Sequence, residues 1–274
     1  MGISRQGERL AESMEEKNSN GAPKTLPQTD VVLEAERLLH FSSERGVTLR
    51  LIGGLGVWFS SPSALKPTYA RKYNDLDFVA HRKQSEKIQK FFVEMGYSPR
   101  ELFNKLQGDQ RLMFNDTKNE RRVDIFLDSF VMCHRFDFKD RLELCEKTLS
   151  PSDLLLTKLQ IFEINKKDIT DAVTLVLDNP LSEDPRACQK IQTKRVAEAC
   201  SDDWGTYKTT TMNIEKIVHI VPELNIPEAD TLAVKERLLS LRKSIEDIPK
   251  SFRWKMRARV GEKVKWYELP ETTN

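Results

Sequence analysis

Three aspartates stand where packing alone gives no reason for an acid. Asp75 and Asp77 flank Leu76 in a run that continues Phe78-Val79-Ala80, and Asp124 sits inside Arg122-Val-Asp-Ile-Phe-Leu127. On a strand, side chains at i and i+2 point to one face, about 7 Å apart. Two carboxylates held that way repel each other and lose hydration unless solvent or a cation compensates. Mg²⁺ is the hard cation that takes oxygen ligands from one or two carboxylates together with substrate phosphates. If the Asp124 strand neighbours the first, three carboxylates converge, which is a ligand set for two-metal phosphoryl or nucleotidyl transfer. One ion would activate an attacking hydroxyl and the other would neutralise a leaving pyrophosphate.

Gly53-Gly54 offers a second half to such a site. A strand that ends in two glycines lets backbone N–H groups approach a phosphate with no Cβ in the way. A helix starting just after adds its positive end. Arg71, Lys72 and Tyr73 directly precede the acids and would clamp a triphosphate or a base; a solvated basic loop explains them equally well. Asp128 lies at strand spacing i+4 from Asp124, so it faces the same way, as a backup ligand or as a turn acid. Taken singly these signals are weak, since a D-x-D is more often two solvated acids and a glycine pair more often a plain turn. Their order along the chain is what gives them weight.

The elements that must position these residues follow from periodicity. Thr29 or Asp30 caps a helix with Val32, Leu33, Leu38, Leu39 and Phe41 at mostly helical spacing, stopped at Gly46. A strand over 47–52 leads into the glycines, a short helix begins over 55–59, and a Ser/Pro-rich loop follows. The spacing predicts a strand over 75–80, an amphipathic helix over 84–95, and a hairpin of 111–115 with 122–127. From Pro151 onward the period is helical, with helices over 152–164, 168–177, 184–199, 207–220 and 229–245. The stretch 251–269 reads as one or two strands around Gly261. The order implies an α+β fold: a tail over 1–28 expected to be disordered, a mixed α/β core over 29–150, a helical region over 151–250, and a basic, aromatic, β-like tail over 251–274.

The succession Gly-Gly, then Asp-h-Asp-h with h apolar, then h-Asp-h resembles the DNA polymerase β-like nucleotidyltransferase superfamily. Lys158 followed ten residues later by Asp168, in Leu-Leu-Leu-Thr-Lys-Leu-Gln and Lys-Lys-Asp-Ile-Thr-Asp, is similar to its AbiEii-type branch and that branch's uncharacterised relatives. The resemblance spans about residues 48–178. It implies a nucleotidyltransferase-like mixed sheet with flanking helices. It also implies that Asp75 and Asp77 bind both metals, and that Asp124 binds one and helps activate the acceptor. Gly53 and Gly54 would meet the triphosphate, and Lys158 would contact phosphate or acceptor. Read from the residues alone, a snorkelling lysine is the favoured reading of Lys158 and a helix N-cap that of Asp168. The chain departs from the pattern in its long Ser/Pro-bearing gap between Gly54 and Asp75, and in a Gly-Gly turn where the family has Gly-Ser.

Composition narrows the class. The 274 residues are 39 % hydrophobic and 31 % charged, with a formal net charge of +2. No global field commits such a chain to nucleic acid or membrane. Four cysteines without a C-x-x-C pair are expected to be reduced thiols in a cytoplasmic protein. The first residues lack the apolar core of a signal peptide, and no apolar run reaches the roughly 18 residues of a membrane span. The basic and aromatic residues over 253–266 would suit a phosphate backbone and stacked bases, although an amphipathic strand pair with a charged outer face is favoured. The reading expected from these features is a Mg²⁺-dependent (or Mn²⁺-dependent) nucleotidyltransferase. It would move an NMP from an NTP to a hydroxyl on a small molecule, a tRNA end or a protein. The alternatives are a catalytically idle binding protein on the same fold, and a dinucleotide-binding unit read from Gly54-x-Gly56.

Overall fold

The structure is a computed structural model that describes residues 26–269. Most of the tail expected over 1–28, and the last residues of the C-terminal tail, lie outside the described residues. Helix α1, Val31–Glu44, opens on Asp30, whose side chain accepts from the Val32 and Leu33 amides. It closes near Gly46, which takes the left-handed φ of +60° that a stop requires. Strand β1 (Leu49–Leu51), α2 (Gly53–Ser60), β2 (Leu76–Ala80) and α3 (Ser85–Glu94) follow. Next come β3 (Ser98–Pro99), α4 (Glu101–Gln107), β4 (Arg111–Asp116) and β5 (Arg121–Leu127).

These strands form one five-stranded sheet in the order β1-β2-β5-β4-β3. Only β2 and β5 run parallel; the other pairings are antiparallel. The sheet is therefore mixed and the fold is α+β. Because β1 and β2 are antiparallel, β1-α2-β2 is not the parallel βαβ unit that a dinucleotide fingerprint needs. Alternation along the two parallel strands divides the sheet into two faces. Leu76, Phe78 and Ala80 of β2 join Val123, Ile125 and Leu127 of β5 in one core, with Leu38 of α1 and Phe91 and Phe92 of α3. Val79 and Phe126 belong to a second core shared with the helical half. Asp77 and Asp124 are their alternation partners, on the face turned to those helices.

The helical half is reached through a hairpin, β6 (Ser129–Val131) with β7 (Arg135–Asp137). Helix α5, Pro151–Leu159, starts on Ser150, which accepts from the Asp153 amide, and every one of its residues is buried. Around it lie α6 (Lys166–Asp178), α7 (Thr193–Asp202), α8 (Trp204–Ile220), α9 (Glu228–Asp247) and α10 (Phe252–Val260). Among the described residues, no helix is long and apolar enough to cross a membrane.

Three expectations need correction. The helix expected over 184–199 is confined to α7, because residues 183–190, with Pro185 among them, form a bend beside the short parallel pair β8 (Leu181–Ser182) and β9 (Ile191–Gln192). The strands expected over 251–269 are α10 and a following 3-10 turn, Gly261–Lys263. Alternating basic and apolar residues look like a period of two, but Ser251 caps a helix by accepting from the Trp254 amide. Third, the cysteines are not all free thiols. Cys145 and Cys188 form a disulfide, with Cα atoms 5.4 Å apart, and Cys133 and Cys200 remain as buried thiols. The bonded pair sits in two loops separated by 43 positions, a distance that no local spacing pattern reveals.

A cross-link of that span restricts the unfolded chain by about 4 kcal/mol at most in the chain-entropy description. Reductant should therefore lower the thermal midpoint of the wild type but leave that of Cys188→Ser unmoved. Scanning calorimetry with and without reductant checks this, and equal midpoints for reduced and oxidised wild type would refute it.

Candidate active site

The parallel pairing of β2 with β5 sets Asp77 directly beside Asp124. Asp75 stands one residue ahead of β2, exposed on the wall of the same cleft. The glycine turn is stitched to this strand, since the Ile52 amide donates to the Asp77 carbonyl at 2.9 Å. Gly53 has φ +62°, and a Cβ there would come within 2.4 Å of Asp77 Oδ2. Only glycine satisfies both the backbone angle and the approach of the acid.

Gly54 is required for a different neighbour. A Cβ on it would lie 2.0 Å from Arg71 Nη2 and 2.8 Å from the Tyr73 ring. Arg71 is fixed from behind by α6: its Nε and Nη2 each donate to Asp171 at 2.8 Å in a two-pronged pair. Its guanidinium also lies 4.4 Å from the centre of the Tyr73 ring. Lys158 of α5 is buried and donates to Asp171 at 2.8 Å and Asp168 at 3.1 Å. It is not a snorkelling lysine. Asp168 is not the cap of α6 either; Asn165 is, accepting from the Lys167 and Asp168 amides. The long Ser/Pro loop between the glycines and the acids is pinned to the helices. Ser63 donates to Asp178 through both its amide and its hydroxyl, and Tyr69 donates to Asp230 at 2.7 Å.

Arg111 of β4 donates from Nε to Asp124 Oδ1 at 3.0 Å, pairs with the same oxygen through Nη2 at 2.9 Å, and lies over the Phe126 ring. The sequence reading missed it. The signal was present, because the hairpin register pairs Arg111 with Phe126, and a diagonal neighbour two residues away on the same face is Asp124. Asp171 was also missed, and so was Lys167, which lines the cleft. Lys72 is exposed and does not line it. Asp128, with φ +59°, accepts from the Arg82 amide and is a turn acid.

The cleft has a volume of about 340 Å³ and is lined by Gly53, Gly54, Arg71, Asp75, Asp77 and Lys158, among others. Part of Asp77 faces this space, yet protein surrounds its carboxylate. Burial, then the Asp124 and Asp75 charges, push it up to about 7 against the opposing pull of Lys158 and Arg111. Burial by itself would lower Lys158, but the Asp171 and Asp168 carboxylates outweigh it and hold the ammonium above its ordinary range. Among the described residues, no three His, Cys, Asp or Glu side chains form a group able to hold a metal ion, and Arg111 occupies Asp124 Oδ1. The donor chemistry nonetheless fits a hard divalent cation. The acids are oxygen donors only, and the negative charge of Asp124 and Asp75 that adds to burial in raising Asp77 is what such an ion would balance.

No protein-family model matches the chain, and no curated protein matches it either. Among solved structures it is similar to the lincosamide antibiotic adenylyltransferase LnuA with lincomycin bound, at 16 % identity and a TM-score of 0.35, over 51 % of this chain and 92 % of that one. It is also similar to the antibiotic-resistance factor ANT(2'')-Ia, at 11 % identity and a TM-score of 0.37, over 53 % of this chain and 81 % of that one.

The raised Asp77 carboxyl has a consequence for stability. A group whose folded value lies above its unfolded 3.8 binds its proton more tightly in the native state. Its contribution is fully present below about pH 4 and is lost as pH rises through about 7. Asp77→Asn should therefore be more stable than wild type at pH 8 and nearly equal to it at pH 4. Urea unfolding at the two pH values measures the difference, and a pH-independent difference would exclude a raised Asp77.

Proposed function

We propose that this cleft is the active site of a divalent-metal-dependent nucleotidyltransferase that moves an NMP from an NTP to a hydroxyl acceptor. The observation that carries the reading is the Asp77–Asp124 pair, set side by side on parallel strands and facing the glycine start of α2. The cleft is suited to the triphosphate. The Gly53 and Gly54 backbone opens α2 there with its positive end. Arg71, Lys158 and Lys167 supply cations to its lining. Asp75 and Asp77 line it too, Asp77 against Gly53 and beside Asp124 of β5.

In the reaction proposed, the acceptor oxygen forms a bond to the α-phosphorus while the bond from phosphorus to the pyrophosphate oxygen breaks. The hydroxyl proton has to leave as that bond forms. Asp124, the acid to which the resemblance gives activation of the acceptor, would take it. Arg71, held by Asp171 and by Tyr73, keeps a fixed orientation toward the phosphates, so little reorganisation accompanies the transfer. Asp75, Asp77 and Asp124 would hold Mg²⁺ or Mn²⁺, which when bound would neutralise charge on the phosphates and on the entering oxygen. The acceptor classes that fit this chemistry are a small-molecule hydroxyl, a tRNA end and a protein side chain.

The Arg111–Asp124 pair favours one alternative, a protein that binds nucleotide on this fold and does not turn it over. The two readings separate in one experiment. The full chain is incubated with Mg²⁺ or Mn²⁺ and each labelled NTP, and pyrophosphate release and transfer of label are followed. Turnover should fall by about a hundredfold or more in Asp77→Ala and Asp124→Ala. In Gly54→Ala, where the new methyl displaces Arg71, the larger effect should be on KM for the NTP. Metal-dependent NTP binding without turnover supports the alternative, and no metal-dependent NTP binding refutes both.

A further inference from the structure

The C-terminal segment is the one strongly basic stretch that the proposed site does not use. Between Ser251 and Lys265 it holds six lysines and arginines against a single acid, Glu262. Apart from Phe252, its aromatic rings are engaged in packing. Trp254 meets Tyr207 edge-on, Trp266 meets Trp204 and donates to Thr209, and Tyr267 stacks on Phe162 with centroids 3.6 Å apart. Arg257 lies over Trp204 and donates to the Gly261 and Val264 carbonyls. These contacts hold α10 against the body and leave Phe252 as the exposed ring of the segment.

What remains faces outward. Helix α10 has no buried residue. Phe252, Met256 and Val260 recur every fourth position and are 79 %, 44 % and 40 % exposed. At about 100° per residue they form one stripe. The same rotation sets Lys255 and Arg259 along one border of the stripe and Arg253 along the other. None of these three cations forms a salt bridge among the described residues.

We propose that this face of α10 docks the protein on an anionic lipid bilayer. An apolar stripe bordered on both sides by cations is the pattern of a helix lying in a membrane interface, with its apolar side chains among the acyl chains and its cations at the phosphates. The charge complementarity sets the lipid class. Three apolar side chains insert weakly, so binding depends on negative headgroups, is reversible and weakens with salt.

The test uses the full chain, sedimented with vesicles of phosphatidylcholine alone or containing about 30 % phosphatidylserine. The bound fraction should be about tenfold higher with phosphatidylserine and should fall as salt is raised. Lys255→Glu with Arg259→Glu should return binding to the level of neutral vesicles. Phe252→Ser with Met256→Ser should also reduce it several-fold although no charge changes, which separates insertion from bulk attraction. All four positions lie on an unburied helix, so the thermal midpoints of both variants should match that of the wild type. Equal binding to the two vesicle types would overturn the proposal. So would full binding by the Phe252→Ser, Met256→Ser variant, or displacement from vesicles by single-stranded oligonucleotide at concentrations where phosphorylated sugars have no effect.

Discussion

The constraint on which the site depends is the register of β2 against β5. Parallel pairing puts two carboxylates, Asp77 and Asp124, at the same level of adjacent strands and on the same face. Strands are about 4.8 Å apart, so neither acid can move away without breaking the ladder. The opposite face allows no slip either. Leu76, Phe78, Val123 and Ile125 are fully buried against α1 and α3, and a shift of one residue would expose them and bury the acids in their place. The apolar core on one side thus enforces the electrostatic conflict on the other.

The helical half answers that conflict. Helix α5 is buried along its whole length, and it brings a lysine into the interior where a lone ammonium would be costly. Lys158 is tolerated because α6 presents Asp168 and Asp171 to it. Asp171 in turn fixes Arg71, and Arg71 lies over Gly54. One aspartate therefore connects the helices, the pinned loop and the glycine turn. The loop that separates the glycines from the acids is long, yet Ser63 and Tyr69 attach it to α6 and α9. A long insertion costs little closure entropy once its interior is anchored in this way.

Much of this was legible in the sequence, and the physical reasons differ between elements. The hairpin of β4 with β5, helix α1 and its aspartate cap, and the glycine turn were readable because local chemistry decides them. The neighbouring strands of Asp77 and Asp124 were readable because charge in an apolar run has few explanations, whereas Asp75, expected on the strand, stands exposed ahead of it. Helix α4 was not foreseen: Leu102 and Leu106 are 73 % and 69 % exposed, so it lacks the buried stripe that periodicity detects. The α10 segment was misread because its basic and apolar residues alternate, while its helical state rests on the Ser251 cap and on packing of Trp254 and Arg257 against distant residues. Arg111 and Asp171 escaped for a related reason. Each is an ordinary charged residue in its own element, and its role exists only through a partner 13 or 100 positions away.

Pairing off the charges shows which acids the protein leaves for something else. On the helix side, Asp168 and Asp171 are matched by Lys158 and Arg71. On the sheet, Asp124 is matched by Arg111. Asp75 and Asp77 have no ion-pair partner among the described residues. Asp75 can rely on water because it is exposed, but Asp77 is enclosed, and its elevated titration is the physical expression of the shortfall. A purely structural cluster would close this balance with one more arginine, as it does at Asp124. Here the open place faces a cleft that is also lined by Gly53, Gly54, Arg71 and Lys158. Under the proposed function, the charge of this enclosed acid would be balanced either by a proton or by a cation that arrives with the phosphates, and the exchange of one for the other is how the site would pass from resting to loaded.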